Sequence, residues 1–199
     1  MPKTDQELSE QLHKDGWKKI KEPKGVVSAI FASIPFMLIG IAISYVVTLP
    51  FNVFQSIKQS LETGFFITIE LLTLCKGLSA IVLYTIAHEM LHGIAIPNFL
   101  KSEKTFWGLS LYGGFVYSTE KISKKRFCVI SILPLLILSI FLPIIVGLLG
   151  HLNGFMMFLV IMNSMGSSVD LLNIALIVLQ VPKASKIINN GFETFYKLE

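Results

Sequence analysis

Four long apolar segments, separated by shorter polar ones, dominate the pattern of this chain. They cover residues 26–49, 74–96, 127–149 and 155–181, which is 23 to 27 residues each. A helix rises about 1.5 Å per residue, so each segment is long enough to cross a hydrocarbon core of about 30 Å. The pattern therefore predicts an all-α membrane protein with about four transmembrane helices.

The polar connection between the second and third segments carries a different signal. Residues 106–118 are rich in aromatic and β-prone side chains, and Gly113-Gly114 suits a two-residue turn. These residues predict a short β-hairpin, whose edge strand can pair with an extended substrate. An aromatic belt at the membrane interface is the other interpretation of the same residues.

Composition and charge agree with a membrane location. Hydrophobic residues make up 53% of the chain, charged residues 15%, and the mean hydropathy is +0.68. The net charge of +4 does not form a basic face. Together with the lack of a glycine-rich phosphate loop and of zinc-finger spacing, this argues against a nucleic-acid partner. The expected surroundings are the lipid bilayer.

The positions of lysine and arginine predict how the chain crosses the membrane. Six lie before the first apolar segment, six in residues 101–126 and three after the fourth segment. By the positive-inside rule, both termini and residues 101–126 are cytoplasmic, in a cell membrane that is most simply a bacterial plasma membrane. The expected domains are a cytoplasmic segment (1–25), a transmembrane domain (26–182), whose chemistry is indicated by the motif in its second apolar segment, and a cytoplasmic tail (183–199).

The second apolar segment contains an H-E-x-x-H motif, His88-Glu89-Met90-Leu91-His92. On a helix the two histidines lie one turn apart on the same face, where they can bind one Zn²⁺ while Glu89 acts as a base on water. Ionisable groups in hydrocarbon cost several kcal/mol unless they are paired or bound, which favours a functional site.

A catalytic zinc usually has three protein ligands, so one is missing from the motif. His88 lies nine residues before Pro97, roughly 14 Å along a helix. Asp170 lies twelve residues before Pro182, roughly 18 Å, which places it within about one turn of the same depth. Zn²⁺ with ionised Asp170 and Glu89 also sums to zero charge. The candidates for the third ligand are Glu103, Glu120, His151 and Asp170. Asp170 is favoured by its depth and its charge. The alternative for Asp170 is a hydrogen bond between helices without a metal.

These residues resemble the site-2 protease class of intramembrane zinc metalloproteases, and more closely a bacterial family of small membrane proteins regarded as zincin peptidases. In that class an H-E-x-x-H on one span is completed by an aspartate on a later span, which an asparagine precedes on the same helix. The resemblance implies that His88, His92 and Asp170 are zinc ligands. It also implies that Glu89 is the general base and then acid, and that Asn163 is a catalytic contact to the oxyanion or substrate.

The leading hypothesis is a zinc-dependent endopeptidase in which Glu89 assists the attack of a zinc-activated water on a peptide bond. Its substrate would be a membrane protein or peptide, cut in or beside the membrane. A second hypothesis is a non-catalytic zinc-binding protein that serves as a partner-docking or regulatory subunit. A third, a small transporter or channel subunit, is less favoured because the chain has no internal repeat.

Overall fold

The computed structural model describes residues 4–62, 70–99, 101–102, 104–110 and 113–199. Helices predominate, and the strands are short. In chain order the elements are α1 (Gln6–Lys14), β1 (Lys18–Lys19), α2 (Gly25–Thr48), a 3₁₀ turn (Leu49–Phe51), α3 (Val53–Glu62), α4 (Leu71–Ala95), β2 (Thr105–Ser110), β3 (Gly113–Ser118), β4 (Ile122–Ser123), α5 (Lys124–Leu136), a π-helical turn (Ile137–Phe141), α6 (Leu142–Leu148), α7 (Gly154–Gly166), α8 (Ser168–Gln180), β5 (Ser185–Asn190) and β6 (Glu193–Leu198).

Among the described residues, four helical segments are long and apolar enough to cross a membrane: Gly25–Phe51, Leu71–Ala95, Lys124–Leu148 and Gly154–Gln180. They agree with the four predicted spans to within a few residues. Large apolar side chains such as Leu179, which is 82% exposed, point away from the protein, as expected of a surface that faces lipid.

The first span packs closely against the fourth. A Cβ atom on Gly40 of α2 would lie 2.8 Å from the Ser164 carbonyl oxygen of α7, so a larger residue does not fit there without a shift. The Ser44 and Ser164 hydroxyls are hydrogen-bonded, and Ser168 of α8 donates to Ser33 at 3.1 Å. Small residues and buried hydroxyls hold helices together in this way where lipid offers no hydrophobic driving force.

The predicted hairpin lies between the second and third spans, but its turn is not where the sequence suggested. Strands β2 and β3 pair antiparallel from Thr105 with Ser118 to Ser110 with Gly113. Gly113 and Gly114 are therefore strand residues, and the prediction that they form the turn is wrong. The connecting residues 111–112 lie outside the described residues. Glycine is required at position 114 because β3 passes directly over the Glu89 side chain of α4.

A second sheet corrects the all-α prediction. Strands β1, β6, β5 and β4 form a four-stranded antiparallel sheet in that order, here called the terminal sheet. Residues 183–199, predicted as a tail, thus contain the β5–β6 hairpin. Under α1, a small core forms around the fully buried Phe195; its other members are Leu12, Trp17 and Ile188.

The terminal sheet lies at one end of the membrane helices. A larger cluster of buried residues joins the sheet to helices α4, α5 and α8 and includes Ile122, Phe127, Ile177 and Ile187. Residues 18–19, 122–123 and 185–198 are therefore on the same side of the helix bundle. This is also the side at which α4 and α8 end and α5 begins.

Candidate metal centre

Two helices bring three potential metal ligands together. His88 and His92 project from the last two turns of α4, and Asp170 from the first turn of α8. The distances from Asp170 Oδ2 to His88 Nε2 and His92 Nε2 are 3.5 and 3.4 Å. The two Nε2 atoms are 3.2 Å apart. All three side chains are largely buried, so the fourth span completes the cluster that α4 begins.

Asn163 of α7 sets the orientation of the His88 ring. The Asn163 Nδ2 group donates to Ser139 Oγ at 2.8 Å and to the Pro134 carbonyl at 3.3 Å, which turns Oδ1 towards His88. Oδ1 is an acceptor, so His88 Nδ1, 2.9 Å away, is the donor. In the neutral ring Nε2 is then the acceptor, and it is directed at Asp170.

The His92 ring is oriented by a carbonyl oxygen that a proline leaves free. His92 Nδ1 lies 2.8 Å from the Ile130 oxygen, and a carbonyl can only accept, so Nδ1 carries the proton. Within a helix this oxygen would accept from the backbone N–H four residues later, but that residue is Pro134, which has none. Pro134 therefore makes the Ile130 carbonyl available to the histidine.

This donor set fits a zinc ion. When both imidazoles are neutral and carry their proton on Nδ1, the two Nε2 lone pairs and the Asp170 carboxylate are three acceptors that face one another, an arrangement that a cation stabilises. Ligands at about 2.0–2.1 Å from a tetrahedral zinc are separated by roughly 3.3 Å, close to the separations seen here. Two imidazoles and a carboxylate are also ligand types that zinc accepts. The cluster His88, His92 and Asp170 can thus hold a metal.

Glu89 lies beside the cluster, under the hairpin. The Val116 backbone amide of β3 contacts its carboxylate. A Cβ atom on Gly114 would lie 2.3 Å from Glu89 Cγ and 2.8 Å from Oε1, so only glycine fits at this point of the strand. A cavity of about 280 Å³, here called the site cleft, opens next to His88 and Glu89; it is also lined by Tyr84, Thr85, Gly114, Met162, Asn163 and Gly166.

The other candidates for the third ligand are elsewhere. The Glu120 carboxylate accepts from Ser102 Oγ at 2.8 Å, and His151 lies in the connection between α6 and α7, at the opposite end of the bundle from the terminal sheet. Glu103 is outside the described residues. Asn163 is 4% exposed and its amide is held by partners within the protein, so its contact with substrate stays a prediction.

Sequence reasoning missed the groups that orient the histidines. A backbone carbonyl such as that of Ile130 leaves no trace in the sequence, although Pro134 inside an apolar helix was a usable signal for a free carbonyl four residues earlier. Nothing in the sequence pointed to the close passage of Gly114 over Glu89.

Comparison with curated proteins and with solved structures finds no match. One family model, described as "Putative zincin peptidase", matches residues 81–186, which are 106 of the 199 residues. The match includes the H-E-x-x-H motif, Asn163 and Asp170, and a zincin family implies zinc as the metal. Because the matched region exceeds half of the chain, the protein belongs to this zincin peptidase family.

Proposed function

We propose that this protein is a zinc-dependent endopeptidase that cuts a membrane protein or peptide in or beside the lipid bilayer. The observation that carries the proposal is the convergence of three potential metal-ligand atoms next to a glutamate that borders a cleft. A purely structural metal site has no need for that glutamate.

In this proposal His88 Nε2, His92 Nε2 and Asp170 Oδ2 hold the metal. When bound there, zinc supplies Lewis acidity, which polarises a substrate carbonyl and makes water more acidic. The hydrogen bonds to Asn163 and Ile130 keep both imidazoles in the ligating tautomer, as second-shell partners do in zinc enzymes.

Glu89 is the proposed proton carrier. Its carboxylate faces the site cleft beside the metal cluster, so it can take a proton from the attacking water and pass it to the leaving amine. Contact with the Val116 amide and the close approach of Gly114 restrict where the carboxylate can lie. Positioning of this kind is worth a large part of a hydrolytic barrier.

The hairpin is the proposed docking element for substrate. Val116 directs its amide at Glu89, so the edge of β3 that does not pair with β2 faces the site. An extended substrate segment could add to this edge as a further strand. A substrate helix would have to unwind first, because helical carbonyls are already hydrogen-bonded.

The proposed orientation places the terminal sheet in the cytoplasm of a bacterial cell, with both ends of the described chain on that side. The common location of residues 18–19, 122–123 and 185–198 supports it, since one sheet cannot straddle a membrane. The lysines and arginines of these regions agree with the positive-inside rule.

The test compares wild type with Glu89→Gln, His88→Ala and Asp170→Ala, all purified in detergent. Zinc content is measured by elemental analysis, and peptide-bond cleavage by mass spectrometry on a peptide library of mixed sequence. We expect near-stoichiometric zinc in wild type and Glu89→Gln, and loss of zinc in the two alanine variants. Cleavage should occur in wild type alone.

Retained cleavage in Glu89→Gln would contradict the mechanism. Zinc that is bound but never supports Glu89-dependent cleavage would contradict the enzyme assignment and favour a non-catalytic zinc-binding protein. Folded wild type without zinc would contradict the metal site itself.

A further inference from the structure

We propose that water reaches Asp170 by a route from the terminal sheet, which passes between Asn173 and Asn189 and is separate from the site cleft. The inference rests on the proposed hydrolytic function, because a hydrolase consumes one water molecule for each bond it cuts. Hydrocarbon supplies none, so a site at membrane depth needs a protein-lined path.

Three adjoining spaces lead from the protein surface towards Asp170. The outer cleft, of about 570 Å³, is bordered by charged residues that include Lys19, Lys21 and Lys24. It shares the walls Glu22 and Phe192 with a middle cavity of about 200 Å³. Because lysine ammonium groups require water, the route begins on the aqueous side.

An inner cavity of about 90 Å³ adjoins the middle cavity. Phe127, Asn173 and Asn189 border both cavities and stand between them, and these three residues are here called the neck. The inner cavity is bordered by Asp170 and His92, so it reaches the metal cluster. One water molecule needs only about 10–15 Å³, and the inner cavity therefore has room for several.

The neck contains a buried polar atom that lacks a hydrogen-bond partner within the described chain. Asn189 Oδ1 is buried and has no hydrogen-bond partner among the described residues. A buried acceptor without a partner costs about 1–3 kcal/mol, and an internal water that bridges polar groups removes this cost. The Ser118 and Ser131 side chains border the inner cavity and supply further polar groups.

This route approaches the cluster from a different side than the site cleft. The inner cavity borders His92 and Asp170, whereas the site cleft borders His88 and Glu89, and the two share no lining residue. Substrate in the cleft would therefore leave the water supply open. Asn189 and Glu22 lie outside residues 81–186, so the route depends on chain beyond the matched region.

Hydroxyl-radical footprinting by X-ray radiolysis tests the route, because radicals formed from internal water oxidise adjacent side chains. The sample is the full metal-free chain in lipid nanodiscs, without substrate, so the result does not depend on activity. The reporter is Phe127, which is 7% exposed, and the dry reference is Phe195, which is fully buried. In wild type, we expect Phe127 to be oxidised about fivefold faster than Phe195, since water lies beside it.

Asn189→Leu replaces the neck amide with an apolar side chain and should lower Phe127 oxidation about fivefold, because an apolar neck does not hold water. Asn189→Ser keeps a polar atom in a wider neck and should preserve the rate. Tyr84 borders the site cleft and none of the three spaces of the route, so its oxidation should be unaffected in both variants. Thr73→Leu, an equally apolar change on the exposed side of α4, is the matched control and should change nothing.

Phe127 oxidation no faster than that of Phe195 in wild type would overturn the inference, as would a rate that Asn189→Leu leaves unchanged. If Asn189→Leu does not fold, Asn173→Leu takes its place at the same neck with the same expectation. None of these outcomes bears on Glu89-dependent cleavage, so failure of the route and failure of the enzyme assignment are distinguishable.

Discussion

Two residues that are 29 positions apart, Pro134 and Asn163, decide which ring nitrogen of each histidine faces Asp170. Pro134 acts by what it lacks, since its missing N–H frees the Ile130 carbonyl for His92. Asn163 acts through its amide, which is itself held by Ser139. The two histidine rings are therefore oriented by groups that are not themselves part of the His88, His92 and Asp170 cluster.

Asn163→Ala should weaken zinc binding about 10- to 100-fold, because the His88 ring loses the acceptor that fixes its tautomer. Competition with a chromogenic chelator measures the affinity directly, without any substrate. Ser168→Ala is a suitable control, since this serine is buried near Asp170 but bonds to Ser33. Unchanged affinity in Asn163→Ala would show that the ring is held by other means.

Glu22 gives the terminal sheet a dependence on pH. Burial raises the pKa of this carboxyl above its usual value, although hydrogen bonds from Thr194 and the charge of Lys19 oppose the shift, while Glu193 reinforces it. The folded protein then binds the proton more tightly than the unfolded chain does. Protonated Glu22 therefore adds to the free energy of unfolding at low pH. This contribution is lost as the pH rises from about 4.3, the unfolded pKa, through the pKa of Glu22 in the folded protein.

Glu22→Gln should therefore be more stable than wild type at pH 7, and the difference should shrink towards zero below about pH 4. Glutamine can still accept from the Thr194 amide, which now donates to Glu22 at 2.7 Å. Thermal unfolding in detergent between pH 4 and 8 measures the effect. The exposed Glu10→Gln is the control, and a gap that does not vary with pH would contradict the explanation.

Among the elements, the contact between β3 and α4 places the most stringent demand on a single position. Gly114→Ala would put a methyl group against Glu89 and displace its carboxylate. A catalytic group that is misplaced by about 1 Å can lose about 100-fold in rate, so we expect the cleavage rate to fall by about that factor. Zinc content should be unchanged, because the ligands are untouched.

Gly166→Ala is the matched control for that change. Gly166 also borders the site cleft, but an added Cβ meets nothing within 4 Å, so its cleavage rate should stay close to wild type. Equal losses in both variants would indicate that the cleft tolerates no added methyl group and that Glu89 is not the cause.

The elements also show which features a sequence reveals. The four spans could be predicted because each is a continuous apolar run, and the depth of Asp170 followed from the helical rise alone. The β5–β6 hairpin was missed although Asn190-Gly191 is a hairpin signal, since the apolar residues of its two strands do not alternate regularly with polar ones. The two-residue strands β1 and β4 offered no periodicity to detect.

At the scale of the whole molecule, the terminal sheet joins the N-terminal and C-terminal segments, which the sequence pattern predicted to be separate. Phe195 lies at its centre and is fully buried. Phe195→Ala should cost about 3–5 kcal/mol of local stability, as large-to-small changes in cores do. The lysines at positions 14–21 should then become accessible, and limited trypsin digestion would detect faster cleavage there.

Leu198→Ala, in the same strand but 61% exposed, is the control and should digest at the wild-type rate. Equal digestion of Phe195→Ala and wild type would mean that the first 24 residues are held by something other than this core.

The pairing of Lys18 with Tyr196 also has a consequence for the order of folding. Contacts between residues so distant in sequence are slow to form, because a long loop must close first. Once the helices have formed in the bilayer, the loop that remains to be closed is shorter. We therefore expect the sheet to assemble after the helices. Asn189 joins the neck of the water route only when β5 is in place, and a partly folded chain would hold the metal ligands without this supply. We therefore expect the proposed water route to be completed only in the last folding step, after the metal ligands of α4 and α8 have come together.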